Sequence, residues 1–388
     1  MTSTNRTRSA PYIPVVHPRH VYVHVPFCAR RCAYCDFSIA VRRSVPVDDY
    51  IDALGRELAI RFDEDPSWTV DTLYFGGGTP SRLGGDGIAR AIAAMRERLS
   101  LADGAEVTIE ANPEDISPDA VAAWCAAGVN RLSIGAQSFD DRVLAWMHRT
   151  HDAAAIGRSV DAARRGGIEN VSLDLIFALP QEVDRSWSRD VANALDLEPS
   201  HVSLYGLTVE PHTPLGRWHS RGDVNEAPDE RYESEFLHAH EIMTDAGFDH
   251  YEVSNFGLRG LRSRHNSSYW DESPYAGLGP SSHEFDGHNR RWNTAAYVDW
   301  LRAVASGRDP MDEREELSLE NRTAERVYLG LRTTDGLVLS EAETHRAMPW
   351  IDAGWATIDR DHRIRLTPLG WLRLDALAAD LTLVRSRY

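Results

Sequence analysis

The stretch Val21–Phe37, VYVHVPFCARRCAYCDF, places three of the chain's four cysteines directly after an apolar β-branched run. The run alternates as a strand does, and Cys28, Cys32 and Cys35 follow it with the spacing Cys-x3-Cys-x2-Cys. The fourth cysteine of the 388-residue chain lies far away, in another segment. The stretch therefore predicts a strand that ends in a cluster of thiols, a pattern open to several metal chemistries.

Strand-like and helical stretches alternate from residue 21 to about residue 210. Five further β-branched runs follow the first, and they read VDTLYFGGG, AEVTIEANPE, NRLSIGAQSF, ENVSLDLIFALP and HVSLYGLTVE. Helical stretches separate them, and Ser117-Pro118 is typical of a helix N-cap and first turn. This alternation predicts an α/β fold with a parallel sheet and right-handed crossovers. Six units correspond to a partial (β/α)6 barrel, because the complete barrel has eight.

The rest of the chain changes character after Pro214. We expect four parts: a flexible N-terminal arm over 1–19, the partial barrel over 20–215, a connecting segment over 216–310, and a small C-terminal α+β domain of winged-helix type over 311–388. The last part contains a short polar hairpin in TIDRDHRIRLTPLGW, between helical stretches.

Polar groups fall where the predicted strands end. Because side chains alternate along a strand, the carboxylates of Glu110 and Asp174 should point into the barrel, as should Gln137. Gly76–Gly78 would let a ligand approach the backbone closely. The C-terminal ends of barrel strands form the functional face, so we expect a site there. Each feature alone also has a structural explanation, as a hydrogen-bonded buried carboxyl or as a turn.

Composition excludes several classes of protein. The net charge is −17, from 59 acidic and 42 basic residues, and every basic residue is an arginine. An acidic chain without a basic run is not expected to bind nucleic acid. No apolar run approaches the roughly 20 residues that span a bilayer. Four cysteines, three of them clustered, do not form a disulfide framework, which predicts a reducing, cytoplasmic location.

Three thiols leave the metal undecided. A structural zinc site needs four ligands, and iron–sulfur clusters also usually take four cysteines. Cys125 lies in the apolar stretch AVAAWCAAG and is best explained as a small buried hydrophobic residue. A cubane held by three thiolates would leave one iron open to an exchangeable ligand.

The cysteine spacing after the first strand resembles the signature of radical S-adenosylmethionine (SAM) proteins. That resemblance implies a [4Fe-4S] cluster on Cys28, Cys32 and Cys35, with SAM on its open iron and a reductant to supply electrons. Tyr34 matches an aromatic residue that the family usually places beside the adenine. The strand stretches are also similar to the oxygen-independent coproporphyrinogen III oxidase family over nearly the whole chain. The SAM contacts that this similarity implies are Tyr22, Gly77, Gly78, Thr79, Glu110, Gln137, Arg149, Asp174 and, more weakly, Thr208.

Two features separate the oxidases of that family from its other members. The oxidases carry a further cysteine two positions after the triad, where this chain has Phe37. The stretch RHNSSYW resembles the HNxxYW motif of HemW-type haem chaperones, which implies a haem contact at His265. His24 and His283 are competing candidates outside any such motif.

The resemblance implies a protein that binds haem and delivers it to an acceptor haemoprotein, with transient contacts to membrane haemoproteins allowed. It assigns no catalytic residue. The alternatives are an oxygen-independent coproporphyrinogen III oxidase and a structural iron–sulfur or zinc protein.

Overall fold

The computed structural model describes residues 17–386. The strands in this part of the chain are β1 (His20–Val25), β2 (Phe27–Cys28), β3 (Ala40–Val41), β4 (Thr69–Gly77), β5 (Ser100–Ala111), β6 (Arg131–Gln137), β7 (Asn170–Phe177), β8 (His201–Gly206), β9 (Asp249–Glu252), β10 (Asn255–Gly257), β11 (Tyr275–Leu278), β12 (His283–Phe285), β13 (Asn289–Asn293), β14 (Met311–Glu316), β15 (Leu337–Val338), β16 (Ala356–Ile358) and β17 (Arg363–Leu366).

The α-helices of the same residues are α1 (Val47–Arg61), α2 (Gly84–Arg96), α3 (Pro118–Ala127), α4 (Asp141–Trp146), α5 (Ala153–Arg165), α6 (Trp187–Asp196), α7 (Pro214–Ser220), α8 (Asp229–Asp245), α9 (Arg264–Trp270), α10 (Tyr297–Ala305), α11 (Leu319–Arg332), α12 (Glu341–Asp352), α13 (Pro368–Trp371) and α14 (Leu374–Arg385). Within residues 17–386 no helix has both the length and the apolar character that crossing a bilayer requires.

The central feature of the fold is a run of parallel strands. β1, β4, β5, β6, β7 and β8 are neighbours in that order, and each pairs in parallel with the next. These are the six strands that the sequence predicts, so the α/β class and the partial barrel are confirmed. Ser117 caps α3 as expected, because its hydroxyl accepts a hydrogen bond from Ala120 N at 3.2 Å.

Apolar side chains on the outer face of these strands form the main core. Val21, Val23 and Val25 of β1 are fully buried, as are Val107 and Ile109 of β5, and they pack with the surrounding helices. Burying each such side chain contributes about 1.5–3 kcal/mol. The opposite face of each strand is thereby left to polar groups that point into the barrel.

The segment expected to be a connection is part of the sheet. β10 and β9 extend it antiparallel beyond β8, while β11 pairs in parallel with the other side of β1 and is followed by β12, β13 and β14. The large sheet has 12 strands in all. Because β14 belongs to it, we propose that the C-terminal domain begins after Glu316 rather than at residue 311.

The C-terminal unit joins a three-stranded sheet to four helices. Its strand order is β15-β17-β16, and the predicted hairpin is confirmed as the antiparallel pair β16–β17. Trp371 fastens this unit to the barrel: its ring lies 4.5 Å from that of His250 on β9.

Most of the predicted N-terminal arm, residues 1–16, lies outside the described residues. The three described residues of the arm contact the barrel. The ring of His17 stacks on Trp68 with centroids 4.7 Å apart, and the carbonyl of Pro18 accepts a hydrogen bond from Trp68 Nε1 at 2.8 Å. Arg19 forms an ion pair with Asp71.

A buried carboxylate connects the two sides of β1. Glu57 of α1 is 0% exposed and pairs with Arg61 at 2.8 Å. It also accepts hydrogen bonds from three groups beyond β11, which are Trp300 Nε1 at 2.9 Å, Gly279 N at 2.8 Å and Asn293 Nδ2 at 2.6 Å. This single side chain therefore fixes α1 against the segment that adds β11–β13 to the sheet.

We expect Glu57→Ala to lower the free energy of unfolding by about 3 kcal/mol, because it leaves buried donors without an acceptor. Urea unfolding followed by circular dichroism measures the change. Asp161→Ala is the matched control, since it removes an exposed i,i+4 pair with Arg165 and should cost about 0.5 kcal/mol or less. Equal losses in the two variants would contradict this role for Glu57.

Candidate functional site

The C-terminal ends of the parallel strands enclose a cavity of about 450 Å³. Every one of the six strands, or the loop that follows it, contributes to its wall. The predicted site residues that line the cavity are Cys28, Cys32, Tyr34, Cys35, Gly77, Gly78, Thr79, Glu110, Gln137, Arg149, Asp174 and Thr208. Strand alternation predicted that Glu110, Gln137 and Asp174 point into the barrel, and all three line the cavity.

The three thiols share one wall of the cavity. Cys28 Sγ lies 3.4 Å from Thr79 Oγ1, and Cys32 Sγ accepts a hydrogen bond from Arg149 Nη1 at 3.5 Å. Burial raises the pKa of Cys28 and raises that of Cys35 to about 11. Both thiols therefore hold their protons at neutral pH, and binding of a metal would release them.

The donor set suits a multi-iron cluster. In the described part of the chain, no three Cys, His, Asp or Glu side chains converge on a single ion. A cubane does not require such convergence, because each thiolate binds a different iron. Arg149, next to Cys32, offers a positive charge against the net negative charge that such a cluster carries with its thiolates.

Two half-buried carboxyl groups lie in the inner wall of the cavity. Glu110 accepts hydrogen bonds from Tyr74 Oη at 2.8 Å and from Gly77 N at 3.0 Å, and burial raises its pKa to about 7. Asp174 accepts a hydrogen bond from Ser133 Oγ at 3.0 Å, and burial raises its pKa as well. A cation placed beside these carboxyls would favour their ionised forms and bind strongly in turn.

Two cavity residues carry polar atoms without partners among the described residues. Gln137 has a left-handed backbone, with φ of +67°, and its Oε1 is buried without a hydrogen bond. Arg149 hydrogen-bonds Asn112 Oδ1 through Nη2 at 2.6 Å, whereas its Nε has no partner. Strained backbone and unsatisfied buried atoms at one place indicate a binding site, because a ligand can satisfy both atoms.

Gly77, at the end of β4, and Gly78 have a structural reason that the sequence pattern does not show. A Cβ on Gly77 would lie 2.4 Å from the His24 ring, and one on Gly78 would lie 2.7 Å from the carbonyl of Pro26. The close approach of β1 and its following loop therefore requires these glycines, whatever the cavity binds.

Tyr22 does not line the cavity. Its hydroxyl lies 3.1 Å from His24 Nδ1, and its ring stacks on Tyr74 inside the barrel. His24 is buried, which lowers its pKa to about 4, and its Nε2 lies 3.2 Å from the carbonyl of Ser38. His283 is exposed on β12, against Trp292. None of the three reaches the cavity surface.

His265 lies at the opposite end of the barrel. It is 0% exposed, and both ring nitrogens are engaged: Nδ1 with Thr72 Oγ1 at 2.7 Å and Nε2 with Tyr269 Oη at 2.8 Å. Burial lowers its pKa to about 3. The backbone N–H groups of His265 and Arg264 donate to the carboxylate of Glu106, so α9 closes the N-terminal end of the barrel.

This arrangement does not support the predicted haem contact at His265. The imidazole has no free lone pair for iron and no exposed edge for a macrocycle. For His265 to bind haem iron directly, α9 would have to move away from the N-terminal end of the barrel, which is called the barrel floor below.

The cavity residues that the sequence did not predict include Asn112, His148 and Tyr205. Asn112 lies two positions after Glu110 in TIEANPE, so strand alternation could have identified it. His148 follows a helix, and Tyr205 lies in the last predicted strand. Neither residue belongs to a motif that can be recognised in the sequence.

A cysteine triad at the C-terminal mouth of a partial β/α barrel is the arrangement of a radical SAM protein. The family model described as the Radical SAM superfamily matches residues 22–192. Within that class, the chain belongs to the family of proteins named haem chaperone HemW. It is 36% identical to the HemW of Synechocystis over 84% of this chain and 80% of that protein. It is 37% identical to the HemW of Mycobacterium tuberculosis over 94% of this chain and 95% of that protein.

A solved structure confirms the fold. The coproporphyrinogen III oxidase HemN of Escherichia coli superimposes with a TM-score of 0.79 over 94% of this chain and 90% of that chain, at 22% sequence identity. At this identity the likeness establishes a shared architecture and leaves the function to be argued from the site.

Thr72→Val removes the hydroxyl that bonds Nδ1 of His265, so we expect the free energy of unfolding to fall by about 1–3 kcal/mol. His265→Ala should cost more, because it also leaves a cavity at the barrel floor. Thermal unfolding measures both changes. His345→Ala, on the exposed face of α12, is the control, with an expected change within about 0.5 kcal/mol. A His265→Ala protein as stable as the wild type would contradict the structural role of this histidine.

Proposed function

We propose that this protein is a haem chaperone. It would hold one [4Fe-4S] cluster, bind SAM in the cavity and pass haem to an acceptor haemoprotein. The observation that carries the proposal is the 36–37% identity, over 84–94% of the chain, to proteins named haem chaperone HemW. The cavity supports it independently, because its thiols and carboxyls suit the two cofactors of the radical SAM class.

The thiols of Cys28, Cys32 and Cys35 would hold the cluster. A cluster bound through three thiolates supplies one iron that can accept an exchangeable ligand. Arg149 would remain beside Cys32 and offset the negative charge of the cluster.

SAM would lie between the thiols and the carboxyls. Its sulfonium and ammonium groups are cationic, and the half-buried acids Glu110 and Asp174 line the cavity. Arg149 Nε would donate a hydrogen bond to its carboxylate, and Gln137 Oε1 would accept one from a ribose hydroxyl. Tyr34 offers an aromatic surface for the adenine on the same wall as the thiols.

The alternative is a coproporphyrinogen III oxidase, which the fold similarity to HemN favours. Phe37 argues against it, since this side chain stands where the resemblance to the oxidases implies a further cysteine. The ring is 58% exposed at the cavity rim and offers no thiol. At position 37 the cavity rim therefore carries an apolar phenyl ring, where the resemblance to the oxidases implies a reactive thiol.

We also propose a reducing, cytoplasmic setting, with a reductant as an additional partner. The four cysteines are all free thiols, which suits a compartment that keeps them reduced.

Anaerobic reconstitution tests both candidate functions on one sample. We expect about four iron and four sulfide per chain, and loss of both in Cys32→Ser, because two thiolates cannot hold a cubane. The reconstituted protein should bind haemin and should not convert coproporphyrinogen III to protoporphyrinogen IX. Iron and sulfide assays, haem absorption and product chromatography measure these outcomes. Sustained turnover of coproporphyrinogen III would exclude the chaperone function in favour of the oxidase.

SAM affinity should depend on pH through Glu110. The pKa of this carboxyl is about 7 in the free protein, so below pH 7 a cationic ligand must displace a proton. We expect the dissociation constant to rise by up to about tenfold per pH unit as pH falls below 7, and to level off above it. Equilibrium dialysis with labelled SAM at pH 6, 7 and 8 measures the dependence, and cluster absorbance at each pH confirms that the cluster is intact.

Glu110→Gln is the matched variant, because it keeps the shape of the side chain and removes its ionisation. It should bind SAM more weakly and with a flatter pH profile. A profile as steep as that of the wild type would assign the titration to another group.

A further inference from the structure

His148 is the histidine that lines the cavity among the described residues. Its ring is half-buried, and neither ring nitrogen has a hydrogen-bond partner within residues 17–386. The buried histidines of the barrel differ, since His201 and His265 use both nitrogens in hydrogen bonds. A neutral imidazole with a free lone pair, facing a ligand cavity, can bind a metal.

The backbone at His148 is one that usually belongs to glycine. α4 ends in a Schellman motif, in which His148 N donates to Ala145 O at 3.1 Å and Arg149 N donates to Leu144 O at 2.8 Å. His148 occupies the left-handed position of this motif, with φ of +61°. Glycine would suit this turn better than histidine. A histidine in this strained conformation at a cavity therefore indicates that its side chain has a function there.

One aromatic side chain, Trp218, contacts the imidazole of His148. The Trp218 ring stands edge-on to the His148 ring with centroids 5.5 Å apart, and Trp146 packs against Trp218 at 5.8 Å. Phe37, which is largely exposed, and Leu207 line the same cavity. The cavity mouth thus combines the imidazole with the apolar side chains of Phe37 and Leu207, and the aromatic rings of Trp218 and Phe37 offer flat surfaces to a large planar ligand.

Backbone hydrogen bonds connect the segments that carry His148 and Trp218 to the cysteine loop. Ala33 N donates to Met147 O at 3.0 Å, and Ala33 O accepts from Leu215 N at 2.8 Å. The backbone of Ala33, between Cys32 and Cys35, thus contacts the residue before His148 and the helix that carries Trp218. A ligand bound to His148 would lie beside the proposed cluster site.

The rim also offers a positive charge. Arg30 lines the cavity, is exposed, and has no ion pair or hydrogen bond with the part of the chain that the structure describes. A free guanidinium can pair with a carboxylate at the edge of a planar ligand.

We propose that haem binds at this rim, with the His148 imidazole as an iron ligand, Trp218 and Phe37 against the macrocycle, and Arg30 near a propionate. The inference rests on the proposed function, because it places the cargo of a haem chaperone. It moves the haem contact from His265 at the barrel floor to His148 at the cavity mouth.

His148→Gly gives a sharp test, because glycine relaxes the left-handed backbone and should not lower the melting temperature. The full-length, cluster-reconstituted protein is titrated with haemin under anaerobic conditions, and the haem absorption spectrum is recorded. We expect the dissociation constant to rise at least about tenfold, which corresponds to about 1.4 kcal/mol, with loss of the histidine-ligated spectrum. Added free imidazole should restore that spectrum, since it can enter the space that the side chain leaves.

His219→Ala is the control, an exposed histidine next to Trp218, and should bind haemin as the wild type does. Wild-type affinity and spectrum in His148→Gly would overturn the inference and leave the proposed function standing. A spectrum that changes only in His265→Ala would overturn it in the same way. A wild-type protein that binds no haemin would overturn both.

Discussion

The parallel pairing of six strands is the constraint on which the site depends. In a parallel sheet all C-terminal ends lie at one edge, so residues about 180 positions apart, such as Cys28 and Thr208, line the same cavity. The register aligns Val25 with Gly77 and Asp174 with Ser203, and the cysteine loop begins just beyond Val25. Had β1 paired antiparallel, the thiols and the carboxyls would lie at opposite ends of the barrel.

The interior of this barrel is polar along its length, which distinguishes it from an ordinary core. Below the cavity, His201 bonds Ser172 Oγ and Tyr251 Oη, both at 2.8 Å, and His265 bonds Thr72 and Tyr269. Buried polar groups are costly unless they are paired, so each of these contacts must form for the barrel to close. The HNSSYW stretch is therefore needed by the fold, whatever else it does. That requirement alone can account for its presence at the barrel floor.

The sequence predicted the long elements and the inward faces, and it missed what depends on distant contacts. β4 to β8 have clear alternation over six or more residues, so Glu110, Gln137 and Asp174 were placed correctly. β9 to β13 have three to five residues each, too few for a period to show, and the segment was taken for a connection. The position of His265 depends on Thr72, which lies 193 residues earlier, and no local pattern indicates such a pairing.

The difference between an oxidase and a chaperone on this fold should lie at the cavity rim. The side chains at the N-terminal end of the barrel are engaged in hydrogen bonds that close it, and the three thiols belong to the site that defines the radical SAM class. The rim is free of both constraints, and it carries Phe37 and His148, with Trp218 in contact with His148. An apolar, histidine-bearing rim suits retention of a planar metal complex, whereas decarboxylation requires the substrate's side chains to reach the cluster end of the cavity. Function on this fold is therefore decided by a few exposed side chains around a fixed barrel.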